Sequence, residues 1–429
     1  MANVIFAQDQ NQQQVPPSVQ ADTTSGWQLV FSNPRFFIGG FQYFPDNVVY
    51  ATASVDNGAK LLLMRSYDLG ITWDTLPNPI AGAPVYFTSP MIGYAGGRET
   101  DKLVWKTIDG GMSWKSYSEG FEATGFFLFP TKDTGLIISS GNYARSIDAG
   151  MTWNQLYPPN DISKNDGSFA DSKIGYVVGN TTGMLGHPDW KSAGYCQKTT
   201  DAGATWTQIY TAIQADFECC QALDVNTLYV GSSESIFAKT NNGGVTWDSI
   251  TIAGTNAGFH NISFINKKHG LMVGGDVLNH FHFGIIYSTN DSCKTWQQQY
   301  LLNPPVFNGV QMLNDSTALI SGAGNIYRTT SGGKYSSVAQ QHTIDFHVKT
   351  YPNPSTGLVS IQYQLPTHQS VSLIFFSVQG DMIGTINMGL QNAGGHQTQF
   401  DGSLLASGVY YFRITTSQDY YTGSFNIQK

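Results

Sequence analysis

The chain has 429 residues, 41% of them hydrophobic and only 12% charged, with 46 Gly, 13% aromatics and a net charge of −8. That length suggests two or three domains, and charge at about half the usual ~25% excludes a coiled coil or a charged disordered chain. No basic run stands out, so no nucleic-acid partner is expected, and no apolar stretch reaches the ~18–20 residues of a membrane helix, so no transmembrane segment is expected either.

The chain opens on an apolar stretch, Met1–Ala7, followed by polar Gln8–Gln14. Residues 1–24 read as the end of a signal peptide without its basic start, or as a plain disordered leader.

From residue 66 a motif recurs, Ser/Thr-x-Asp-x-Gly-x-Thr-Trp. Its acidic or amide positions are Asp68, Asp109, Asp148, Asp201, Asn242 and Asn290, with a fragment at Ser331. The sixth copy reads as degenerate and one residue longer than the rest. The steps are 41, 39, 53, 41, 48 and 41 residues, the size of a four-stranded propeller blade. Upstream of each copy lie an apolar strand, a polar turn and a second strand that often opens on Gly, as in Gly93–Gly97 and Gly175–Gly179. Each unit therefore predicts strands a, b and c, the box, and strand d. In the box an Asp carboxylate accepts backbone N–H groups of the turn, Gly takes a conformation other residues resist, and Trp packs on a neighbouring sheet. Repetition at every unit marks these Asp as structural. The seventh box lacks Thr-Trp, and Ser25-Gly-Trp27-Gln-Leu29 supplies the missing piece. Residues ~25–31 should then be the outer strand of the last of seven blades, closing the ring without a free edge.

These boxes resemble the Asp-box (BNR) repeat of sialidases, sortilin-type receptors, the photosystem II assembly-factor propeller and xyloglucan-active glycoside hydrolases. The resemblance implies a seven-bladed β-propeller over residues 25–335; repetition of this kind speaks for fold far more than for function.

Residues 336–345 read as a polar linker. In 346–429, short alternating segments such as Ile361–Leu365, Val371–Val378, Leu405–Ile414 and Tyr420–Gln428 predict a small Ig-like β-sandwich of about seven strands. Tyr351-Pro-Asn-Pro-Ser-Thr-Gly357, the turn Gln379-Gly-Asp381 and Leu405-Ala-Ser-Gly-Val-Tyr410 resemble the type IX secretion C-terminal sorting domain of Bacteroidota. That resemblance implies export, with the secretion machinery as partner through residues 346–429 and a secreted or outer-membrane-surface location.

Functional residues are expected on the propeller face formed by b–c and d–a loops. The b–c loops of blades 4 and 6 are long, and length on a rigid scaffold is where function collects. His187, Trp190, Tyr195, Phe281 and Phe283 are candidates for an aromatic ligand platform suited to a glycan or protein. The alternative is glycoside hydrolysis, which needs a carboxylate pair. Candidates are Glu99, Asp101, Glu119, Glu122, Asp161, Asp166, Asp216, Glu218, Glu234 and Asp276, with Glu99, Glu122, Glu218 and Asp276 foremost. Sialidase chemistry, which needs three converging arginines, is nearly excluded: of six Arg, Arg65, Arg145 and Arg328 share a strand-c register with Lys106, Lys198 and Lys239 and are repeat residues, and Arg413 lies in the last module, which leaves Arg35 and Arg98. His260, Asp276, His280 and His282 form a weak candidate zinc set. No phosphate loop or dinucleotide fingerprint is present, and no cofactor is expected. Cys196 with Cys219 or Cys220 forms one candidate disulfide; free buried thiols are the other reading.

Overall fold

Short apolar runs broken by Asp, Asn and Gly turns have the length of strands rather than helices. In the computed structural model every regular element among the described residues is a β-strand. The structure describes residues 26–55, 60–76, 84–96, 103–118, 125–138, 143–156, 163–181, 193–213, 215–252, 257–276, 284–299, 301, 304–332, 346–377, 382–416 and 420–429. The chain separates into two compact units, Met1–Ser336 and Ser337–Lys429. The leader and the 336–345 linker lie outside the described residues.

The first unit is a seven-bladed propeller of seven four-stranded antiparallel sheets. Strands a to d of blade 1 are Phe36–Phe44, Val48–Val55, Lys60–Ser66 and Asp74–Leu76. Blades 2 to 6 repeat this order in sequence, with strands a at Val85–Phe87, Phe126–Leu128, Ser163–Phe169, Phe217–Asp224 and Ala257–Phe264. Blade 7 takes strands a to c from Gly309–Met312, Ala318–Gly322 and Asn325–Thr329, and its outer strand is Trp27–Ser32. Trp27 pairs with Thr329 and Ser32 with Asn325. The ring is thus closed by the N-terminal strand, as the sequence predicts.

Strands a are braced around the axis. Gln42 of blade 1 bonds both the N–H and the C=O of Phe87 in blade 2. Gln221 does the same for Phe264. Ser168 accepts from Ala222 N–H, and Ser263 from Met312 N–H. A further regularity couples strands a and b: Phe87, Phe129, Phe169 and Phe264 each lie over the Gly that opens strand b. A Cβ on Gly93, Gly135, Gly175 or Gly270 would sit 2.7, 2.5, 2.6 or 2.2 Å from the ring.

The boxes behave as a folding element. Asp68 accepts from Thr72 N–H and Oγ1 at 2.9 and 2.6 Å and from Ser66 Oγ at 2.7 Å. In the sixth box the structure corrects the sequence reading: Asp291, not Asn290, takes this place, accepting from Thr289 Oγ1, Thr295 N–H and Thr295 Oγ1. The box is Thr289-Asn-Asp-Ser-Cys-Lys-Thr-Trp296 and has ordinary length. Cys293 occupies the glycine position at φ 63°, and it is this substitution that hides the motif. The box indoles of Trp73, Trp114, Trp153 and Trp247 donate to the carbonyl of their own box glycine and pack against the preceding blade. Trp27 fills the same place between blades 6 and 7, buried with Leu271, Val273 and Ile286.

Strand c supplies a second tie between blades. Arg65 donates to Gly110 O at 3.1 Å, Lys106 to Ala149 O at 2.7 Å and Arg145 to Ala202 O at 3.1 Å. Lys198 donates to Gly243 O at 2.8 Å, Lys239 to Ser292 O at 3.1 Å and Arg328 to Leu69 O at 3.0 Å. Each cation reaches the box of the next blade, which is why this register holds Lys or Arg in six of the seven blades.

The four cysteines are buried free thiols. Cys219 and Cys220 are neighbours on one strand, so their side chains point to opposite faces; only Cys220 shares a core with Cys196.

The second unit pairs a three-stranded sheet (Lys349–Tyr351, Leu358–Leu365, Gly394–Asp401) with a four-stranded one (Met382–Gln391, Gln369–Phe376, Gly408–Thr416, Tyr420–Ile427). Phe346, Ile361, Leu373, Phe375, Phe412 and Phe425 lie in its core. The Tyr-Pro-Asn-Pro-Ser stretch holds the chain end: Asn353 Oδ1 accepts Asn426 N–H, and Ser355 exchanges backbone bonds with Asn426 and Gln428. The Gln379–Asp381 turn lies outside the described residues.

Candidate functional site

Two regions of the propeller gather chemistry around its axis. The first is a cavity of about 460 Å³ at the a–b turn end. Strand a of blade 1 contributes Phe41, Gln42, Tyr43 and Phe44, blade 2 gives Tyr86, Phe87 and Thr88, and blade 3 gives Phe129 to Lys132; Gln311 comes from blade 7. These aromatics are there because strands a of blades 1 to 3 end at or just before aromatic residues, which the a–b turns bring together. Tyr86 and Phe129 stack at 5.8 Å, and Gln42 is fixed by its two bonds to Phe87. Among the described residues the lining is aromatic, amide and hydroxyl, with Lys132 as its one charged group and no carboxylate. Hydrophobic patterning marks these residues as core, which is why the sequence reading passed over them.

The second region is acidic and lies toward the b–c and d–a end of blades 4 and 5. Asp166, on strand a of blade 4, accepts from Cys220 N–H and Gly167 N–H, both at 2.8 Å. Burial pushes its carboxyl up to about 6, against the opposing pull of those two amides. Glu234 accepts from Asp216 N–H at 2.6 Å and from Ser233 Oγ at 2.8 Å. Burial raises Glu218, and the neighbouring Asp216 and Glu234 charges raise it further. The structure therefore brings Asp216, Glu218 and Glu234 together.

Other candidates part from this group. Tyr195 is buried, 1% exposed, with its hydroxyl bonded to the Ser163 carbonyl; it supports the blade interior and is no part of an exposed platform. His260 lies in strand a of blade 6, where its Nδ1 meets Phe307 O at 3.1 Å. Asp276 ends strand b of the same blade. His187, Trp190, His280, Phe281, His282 and Phe283 lie outside the described residues, as do Glu99, Asp101, Glu119, Glu122 and Asp161. Among the described residues no three His, Cys, Asp or Glu side chains converge as a metal site.

The fold and its second unit define an exported β-propeller. Residues 349–428 match the secretion system C-terminal sorting domain, the type IX module that marks proteins secreted or attached to the outer-membrane surface. The chain is similar in structure to YCF48 solved bound to D1 peptide (TM-score 0.55, 16% identity, 73% of this chain and 100% of that one). It is also similar to a streptogramin B lyase (0.53, 13%, 70% and 96%) and to YCF48 from Cyanidioschyzon merolae (0.50, 13%, 71% and 98%). These likenesses concern the fold. No curated protein matches the chain. No helix among the described residues is long and apolar enough to cross a membrane.

Proposed function

We propose that this exported propeller binds an extracellular glycan or protein partner, and that the axial cavity at the a–b turn end takes part in that binding. The observation that carries the reading is the lining of the cavity: aromatic faces beside amide and hydroxyl groups, at a volume within the ~300–1,000 Å³ of ligand sites. Rings supply apolar area at low entropic cost, while Gln42, Gln311 and Thr88 offer hydrogen bonds that fix orientation. Gln311→Trp, which fills the cavity from its polar wall, should abolish retention on the ligand while leaving the melting temperature close to that of the parent. Retention unchanged by this substitution would exclude the cavity.

One observation favours glycoside hydrolysis as a second reading. Asp166 and Glu218, both raised by burial, lie on strands a of adjacent blades, and a raised carboxyl is what a general acid requires. On this reading the chain releases new reducing ends from a polysaccharide, and Glu218→Gln stops the release.

A further inference from the structure

The seam between blades 6 and 7 differs from the other six. In those, a strand-c Lys or Arg reaches the next box, and in four of them a strand-b tyrosine stands beside the cation: Tyr50 by Arg65, Tyr94 by Lys106, Tyr176 by Lys198 and Tyr229 by Lys239. Lys106 and Lys198 lie 5.5 Å above the rings of Tyr94 and Tyr176. In the other two, Arg145 and Arg328 face Leu136 and Leu319. In blade 6 the same register holds Leu271 and Ser288. Both long polar groups are missing, and a cavity of about 280 Å³ lies there, lined by Leu271, Ser288, Asp315, His269, Gln299 and Gly332 among others. Among the described residues no Lys or Arg lines it.

We propose that this cavity is a binding site for an alkyl-ammonium or guanidinium group, which takes the place filled by Lys or Arg in the other seams. The acceptors that serve a cation elsewhere persist. Gly332 is the box residue equivalent to Gly110, at φ 64° against 71°, and among the described residues its carbonyl accepts one bond, from Gln299 Nε2 at 3.0 Å, which leaves a second lone pair. Asp315 stands where Pro90 presents its carbonyl to Tyr50 and adds a full negative charge. Its bonds from Asn266 at 3.1 Å and His269 at 2.9 Å both fall on Oδ1; among the described residues Oδ2 takes none. Among the described residues Gln299 ties this seam instead of a cation, accepting Trp27 Nε1 at 2.8 Å, a bond that no Lys or Arg accepts. The site is separate from the axial cavity and does not rest on the function proposed for it.

The test is ligand-observed NMR on the full chain, with argininamide, its neutral isostere citrullinamide, cadaverine, and a capped Gly-Gly-Arg-Gly-Gly peptide. Argininamide should bind and citrullinamide should not. Ser288→Arg should raise the melting temperature by supplying the missing cation from within, and should abolish binding. Asp315→Asn should weaken binding roughly tenfold, because its side chain is 67% exposed and its charge is partly screened. Peptide binding without cadaverine binding assigns the cation to a partner polypeptide; cadaverine binding alone assigns it to a free amine; either supports the site. Equal binding of citrullinamide, no binding of any cation, or binding undisturbed in a folded Ser288→Arg chain overturns it.

Discussion

The box carboxylates Asp109 and Asp291 carry a pH signature. The Ser113 hydroxyl and amide hold Asp109 down to about 2, and the Thr295 hydroxyl and amide do the same for Asp291. Both groups titrate near their ordinary 3.8 in the unfolded chain. Their contribution is therefore complete above about pH 4 and disappears as the pH falls through about 2. A urea-midpoint profile should drop across that window, and Asp109→Asn should make the drop shallower. Backbone conformation gives a second prediction. Ala202 sits at φ 56°, where the boxes of blades 2 and 5 have Gly110 and Gly243. Ala202→Gly should stabilise the chain by about 1 kcal/mol, read as a higher urea midpoint, because a Cβ is disfavoured there. At this scale the sequence is legible where chemistry repeats: five boxes are plain from Gly and Trp with Asp, or in the fifth Asn242, ahead of them. The sixth was displaced by one residue because Cys293 stands for glycine, and only the bonds to Asp291 identify the register.

Within each blade the strands follow from apolar runs and turns, but what couples them is less visible. The Phe that precedes Gly by six residues is a readable signal, in Phe87 and Gly93 or Phe264 and Gly270, yet its meaning emerges only when the ring is found over the glycine. Gly270→Ala places a Cβ 2.2 Å from the Phe264 ring. Forcing those atoms apart should cost about 1–3 kcal/mol, measurable as a lower melting temperature. The closing seam gives a further case. Gln299 joins Trp27 to Gly332, and Gln299→Leu removes both bonds, each worth about 0.5–1.5 kcal/mol, which should lower the melting temperature. Nothing in the repeat pattern singles out Gln299, because it is needed only where a Trp arrives from the far end of the chain. The Lys/Arg register of strand c was visible as a repeat; its reason, a carbonyl in the next blade, is a relation between units that no single unit contains.

Over the whole molecule the architecture was legible and the site largely was not. Boxes recurring every 39 to 53 residues indicate a ring of blades, and Trp27 shows how it closes. The Tyr-Pro-Asn-Pro stretch is a legible mark of the export module, whose family model matches residues 349–428, and in the fold it pairs with the chain end. Sites depend instead on which strand faces converge at the axis, and aromatic residues such as Tyr43, Tyr86 and Phe129 carry the same apolar pattern whether they fill a core or line a cavity. The most direct test of the binding function incubates the full chain with immobilised extracellular polysaccharides and proteins, beside Gln311→Trp, while new reducing ends are counted. The account predicts retention on at least one ligand, no new reducing ends, and loss of retention in the folded variant. Release of reducing ends that ceases in Glu218→Gln would contradict it and assign the propeller to hydrolysis.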